Sequence, residues 1–134
     1  MIIAQNKLAT TTFIKKESIL ISEYKGRVNI DLALSHLQEV KEFHLKHNVK
    51  AAIVDIKNLY GSFAKVYGYI DDSFPEIIAS GLKYSAYVLS EDLIIANLGE
   101  KLKETAAAYK LESEVFSFQE AAIQWAKESL KLRD

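Results

Sequence analysis

Three histidines, His36, His44 and His47, lie within one short segment of the chain. His44 and His47 stand at i, i+3, a spacing that turns two imidazoles to one helix face as a pair of metal ligands. No H-E-x-x-H motif accompanies them, and no Glu precedes either by three residues as a di-iron bundle requires. They read as solvated or half-buried residues near a helix C-terminus, where a cationic imidazole is favourable, and no metal is expected. Asp71-Asp72 offers hard oxygens, but Ser73, Phe74 and Pro75 follow in place of the alternating ligands and glycine of a calcium loop. Gly61-Ser62 lacks the second glycine of a nucleophile elbow, and no histidine follows Ser62, which excludes the α/β-hydrolase order. No glycine-rich phosphate loop is present, so no nucleotide or other cofactor is expected.

Two places retain chemical interest. Asp55 ends the apolar run Ala51–Ile56, and a carboxylate at the carboxyl end of a central strand sits where open α/β sheets bind ligands. The competing reading makes it a turn-former that accepts backbone N–H groups through Lys57-Asn58. Beyond it stand Tyr60, Phe63, Tyr67, Tyr69 and Phe74, a dense group for a chain that is 10% aromatic. Phe63 and Tyr67 share a helical face, so these rings either line an apolar groove, form a contact patch or simply pack on the sheet. Tyr69 falls off that stripe and is the ring expected at the surface. The candidate ligand- or partner-binding residues are therefore Asp55, Tyr60, Ser62, Phe63, Tyr67 and Tyr69.

The elements that must position these residues follow from pattern. Thr10–Lys15 and Ser18–Tyr24 are β-branched, roughly alternating runs, joined by a polar turn at Lys16-Glu17. Gly26 breaks the chain, and Asn29 caps a helix from Ile30 to about His47. Its apolar stripe is Ile30, Ala33, Leu34, Leu37 and Val40, with His36, Glu39 and Lys46 on the outer face. The strand Ala51–Ile56 is apolar enough to be covered on both faces. A helix over Phe63–Ile70 is interrupted at Asp71-Asp72-Ser73, and a short one resumes near Pro75 and runs to Gly81. Lys83–Leu89 is a further strand. Ser90, Glu91 and Asp92 start a helix striped by Ile95, Leu98, Leu102, Ala106 and Tyr109, with Gly99 marking close packing. Glu114–Phe118 is the last strand, and Ser117 with Glu120 has the spacing of a capping box for the closing helix that carries Trp125.

The result is an α/β fold: a mixed sheet of about five strands, with an antiparallel N-terminal hairpin, then parallel crossovers, and about four helices. At 134 residues the chain, 1–134, is expected to form one domain. Its 17 basic and 18 acidic residues are scattered, which argues against a nucleic-acid footprint. The absence of cysteine removes disulfide and thiolate chemistry. No secretory leader pattern opens the chain, and no apolar run approaches the roughly 20 residues of a membrane span. A cytoplasmic location without membrane insertion is the expectation.

This order of elements, with particular residues at its joints, resembles the SpoIIAA-like group of the STAS superfamily, small STAS-like or CRAL-TRIO-like domains. The resemblance runs from about Thr12 to Leu130. It rests on Tyr24-Lys25-Gly26, on Ala51-Ala52-Ile53-Val54-Asp55-Ile56, on Tyr84-Ser85-Ala86-Tyr87-Val88, and on Phe116-Ser117-Phe118-Gln119-Glu120-Ala121-Ala122-Ile123-Gln124-Trp125. It implies a domain used for protein interaction or for holding a small or lipid-like ligand, usually without catalysis. Regulatory members carry a phosphorylated serine motif about eight residues beyond the strand aspartate. Here Phe63-Ala64-Lys65 occupies that place, so the serine is not carried over to Ser62.

Three functions follow as expectations. The first is a non-catalytic interaction or regulatory module, binding a protein partner or a second copy as a homodimer. It predicts exposed rings and no enclosed cavity. The second is a carrier of a small apolar or lipid-like ligand, with a pocket lined by Phe63, Val66, Tyr67 and Tyr84. The third is an enzyme using Asp55 or Tyr60, which requires a polar group to converge on Asp55 with a shifted pKa.

Overall fold

The computed structural model describes residues 1–62, 64–91 and 93–133. Phe63 and Asp92 lie outside the described residues, as do the side chains of Ile95 and Leu98 and the packing expected at Gly99. Among the described residues the fold is α/β, a six-stranded mixed sheet with four helices. The strands are β1 (Ile2–Gln5), β2 (Ala9–Ile14), β3 (Ile19–Arg27), β4 (Ala51–Tyr60), β5 (Tyr84–Val88) and β6 (Glu112–Phe116). The helices are α1 (Ile30–Lys46), α2 (Ala64–Ala79), α3 (Leu93–Ala108) and α4 (Gln119–Arg133). Spatial order follows chain order from β1 to β6. The first two pairings are antiparallel and the remaining three parallel.

That simple order explains where the helices lie. Each crossover from β3 to β4, β5 and β6 advances the same way across the sheet. With one preferred handedness, successive crossovers place their helices on one face. Accordingly α1, α2 and α3 share clusters with Leu20, Tyr24, Ile56 and Tyr87. The opposite face would be bare without α4, whose Ala122, Ala126 and Leu130 cover Ile19, Ile21, Ala51, Ile53 and Ala86. Strand β4 is thereby covered on both sides, as the apolar run Ala51–Val54 at its start requires.

Several boundaries differ from the sequence pattern for local reasons. The sheet has six strands rather than about five because Ile2–Gln5 adds an edge strand too short to show periodicity. Gly26 does not end β3; at φ +90° it continues beside Leu59 through an irregular stretch of the β3–β4 register. Asn29 does cap α1, its Oδ1 accepting from the Leu32 N–H at 3.1 Å. Helix α2 is continuous through Asp71-Asp72-Ser73, with Pro75 inside it. Pro75 supplies no N–H to the Asp71 carbonyl, but it sits on the exposed side, where water can take that acceptor. At the last helix the Ala122 N–H bonds the Phe118 carbonyl, so Phe118 rather than Ser117 takes the capping position.

Candidate functional site

The largest inward correction concerns the histidines. His36 belongs to the core rather than the outer face of α1: it is 1% exposed, and His44 is 3% exposed. With Val40 between them at i+4, both lie on the helix face turned to the sheet. His36 has a partner from another element, its Nε2 standing 2.6 Å from Thr11 Oγ1, which in turn lies 2.7 Å from Ser22 Oγ. His47 remains outside, at the helix end, stacked on Phe43 with ring centroids 4.0 Å apart. The Nδ1 atoms of His36 and His44 are buried and have no hydrogen-bond partner among the described residues. Burial pushes both imidazoles below their ordinary pKa, His44 to about 4, with Glu39 partly opposing the shift at His36. Both rings are therefore neutral at pH 7.

His44 borders a cavity of about 110 Å³ between the sheet and helices α1, α2 and α3. Its floor comes from alternate residues of three adjacent strands, Leu20, Ser22 and Tyr24 on β3, Ala52, Val54 and Ile56 on β4, Ser85 and Tyr87 on β5. Its roof is apolar: Leu37 and Val40 on α1, Ile70, Phe74 and Ile77 on α2, Leu102 on α3. Ala52 and Val54 pack against the helix-side clusters yet are only partly buried although β4 is central, because they also border this space. Their neighbours Ala51 and Ile53, turned towards α4, are fully buried.

The polar groups of the floor are set by a repeated pattern. Ser22-Glu23-Tyr24 and Ser85-Ala86-Tyr87 are both Ser-x-Tyr, and strand alternation turns each Ser and Tyr to the same face. Ser85 Oγ and Tyr87 Oη are 3.2 Å apart. Burial pushes the Tyr87 phenol up to about 12 and raises Tyr24 further, so both stay protonated and can donate. This pattern was the available sequence signal for the cavity floor. The periodicity of α1 concealed its roof, because histidine is polar in composition and apolar in this setting.

The residues singled out from sequence lie elsewhere. Asp55 is buried, on the α4 side of β4. Its Oδ1 accepts from the Lys57 N–H at 3.1 Å and its Oδ2 from Gln119 Nε2 at 2.9 Å. It thus shapes the irregular β4 register and ties β4 to the first residue of α4, while the strand continues past it to Tyr60. Tyr60 is 54% exposed at the carboxyl end of β4, and its carbonyl accepts from the Val28 N–H. Ser62 is exposed, and its Oγ accepts from the Ala64 N–H at the start of α2. Tyr67 is half-buried between α2 and α3, donating to the Lys101 carbonyl and touching the Thr105 hydroxyl. Tyr69 is half-buried too, with Lys41 Nζ 5.7 Å from its ring centroid. Val66 is buried in the core and Tyr84 packs on Trp125 under α4, so neither borders the cavity, and nor does Tyr67. Phe63 is outside the described residues.

The two bonds of Asp55 make a prediction. Asp55→Ala leaves the Lys57 N–H without its acceptor and should cost about 2 kcal/mol in urea unfolding. Asp55→Asn keeps an acceptor for Lys57, and the Gln119 amide can turn to present its oxygen, so the cost should stay under about 1 kcal/mol. Equal losses in the two variants would mean that the charge, not the hydrogen bonding, matters.

Among the described residues no helix is long and apolar enough to cross a membrane, and no group of three or more His, Asp or Glu is placed to hold a metal ion. No protein-family model matches this chain, and no curated protein matches it.

Proposed function

We propose that this protein is a non-catalytic domain that holds a small, largely apolar molecule between its sheet and helices α1 to α3. The observation that carries this reading is the cavity over β4, in the centre of the molecule where tight packing is the rule. Apolar roof and sparse polar floor are the usual make-up of a small-molecule site. Size restricts the occupant. A cavity of about 150 Å³ lined by Leu, Ile and Phe admits benzene, so about 110 Å³ limits the occupant to a molecule no larger than benzene. A whole lipid does not fit unless α1 and α2 move apart. The resemblance to SpoIIAA-like STAS domains supports a binding rather than a catalytic role.

Benzene titrated into ¹⁵N-labelled protein tests the proposal. Saturable shifts are expected at the amides of Ala52, Val54 and Ser85, and none in Ala52→Leu, whose side chain fills the space. Shifts that never saturate, or that persist unchanged in Ala52→Leu, would refute it. A second reading, a protein-contact module or homodimer, draws on Tyr60 and Phe118. They are 54% and 65% exposed at the carboxyl ends of β4 and β6. A doubled mass in native mass spectrometry, with no benzene saturation, would favour that reading instead.

A further inference from the structure

We propose that the open groove between α4 and the amino ends of β3 and β4 binds a small hydroxylated phosphate monoester, such as a sugar phosphate, independently of the cavity over β4. The groove holds about 550 Å³, within the roughly 300–1,000 Å³ of small-molecule sites. Four lysines line it, Lys16, Lys50, Lys127 and Lys131, against two glutamates, Glu17 and Glu128. They leave a local excess of two positive charges on a chain whose formal net charge is −1. Lys16 comes from the β2–β3 turn, Lys50 from the approach to β4, and Lys127 and Lys131 from α4. The negative end of a helix dipole accounts for lysines late in α4. It does not account for Lys16 and Lys50, which reach the same space from other elements.

Specific ties hold these elements together. The Ser18 carbonyl accepts from the Lys50 N–H at 2.9 Å and the Ala51 N–H at 3.3 Å, fixing the turn to the start of β4. Lys127 Nζ lies 3.3 Å from Glu17 Oε2, fixing the same turn to α4. That pair neutralises one lysine with one glutamate. Lys16 and Lys131 are exposed and enter no ion pair among the described residues. The chemical class follows from the charge. A phosphate monoester carries about 1.5 to 2 negative charges at pH 7 and matches the excess, whereas a carboxylate brings only one. Lysine ammoniums serve phosphate oxygens as compact point charges. Ser18, Gln124 and Glu128 line the rest of the groove, and their hydroxyl, amide and carboxylate suit the hydroxyls of a sugar.

Glucose 6-phosphate, glucose and inorganic phosphate are each titrated into ¹⁵N-labelled protein in about 150 mM NaCl, where long-range attraction is screened. Glucose 6-phosphate is expected to give saturable shifts at the amides of Glu17, Ser18, Lys50 and Lys127. Glucose should give none, and inorganic phosphate should bind more weakly. The double variant Lys16→Gln, Lys131→Gln should weaken the ester about tenfold, because two exposed charge pairs are lost. Lys7→Gln, at the opposite end of β2, should leave binding unchanged. Glu17→Gln should tighten it several-fold by releasing Lys127 and removing a like charge, a gain that a poorly folded variant would not produce. Inorganic phosphate binding as tightly as the ester would overturn the monoester and leave an anion site only. Equal weakening by Lys7→Gln, or shifts that never saturate, would show a solvated surface only and overturn the proposal. Benzene saturation of the cavity is a separate readout, so failure here leaves the function proposed above standing.

Discussion

Between pH 7 and pH 4 the protein should lose about 3 kcal/mol of folding stability through His44 alone. The sign follows from its pKa, held near 4 in the folded chain by burial, against about 6.5 in the unfolded chain. Above pH 6.5 the ring is neutral in both states and contributes no pH dependence. Below it the unfolded chain binds a proton that the folded chain refuses, so stability falls until the pH passes about 4, where the folded ring also protonates. His36, lowered for the same reason, acts in the same direction and steepens the fall. Urea unfolding at half-unit steps from pH 7.5 to 4 measures it. His44→Leu should flatten most of the slope, and because it also removes an unpaired buried nitrogen, it should be no less stable at pH 7.5. A wild-type stability that does not change over this range would show that His44 is solvated, and with it that the cavity is open to water around the ring.

Ile53→Ala is expected to cost about 4 kcal/mol, whereas Ala52→Leu, one residue away, should raise stability by about 1 kcal/mol. The opposite signs come from the two faces of β4. Ile53 is 0% exposed and packs under α4 among Ile21, Ala86, Ala122 and Ala126, where three lost carbons leave a hole that small neighbours cannot close. Ala52 faces the cavity, so a larger side chain gains burial in space that already exists. Overpacking against Leu20 and His44 would limit that gain. Chemical denaturation of the two variants at pH 7.5 decides between a real void and a tightly packed core. Destabilisation by Ala52→Leu comparable to that by Ile53→Ala would mean that the space over β4 is already filled.

Much of the architecture was legible in residue order. The β-branched hairpin, the capped stripe beginning at Ile30 and the apolar run of β4 each express a backbone period of two or 3.6 residues, and each appears as an element of the fold. Edge strand β1 escaped because four residues are too few for a period to register. The break expected at Asp71-Asp72-Ser73 did not form. Phe74 and Val66 anchor both halves of α2 in the core, and packing outweighs a weak local preference. For Asp55, residue type pointed to short-range amide bonding, which the Lys57 N–H supplies. Its second partner, Gln119, lies 64 residues away and had no local trace.

The cavity itself had no sequence signature of that kind, apart from the paired Ser-x-Tyr on β3 and β5. A void is the space that side chains from five or six elements fail to fill. Its position depends on how α1 and α2 seat on the sheet, not on any one element's pattern. The inward turn of His36 and His44 is of the same origin. Composition alone places histidine on a solvated face; the Thr11 hydroxyl on β2 and the apolar roof beside Val40 decide otherwise. The amino-acid order by itself therefore determined a mixed α/β sheet with β4 buried at its centre. Tertiary structure alone decided that a neutral imidazole with a buried, unpartnered Nδ1 and a small apolar cavity adjoin above that strand, because only the packing of distant elements can bring them together.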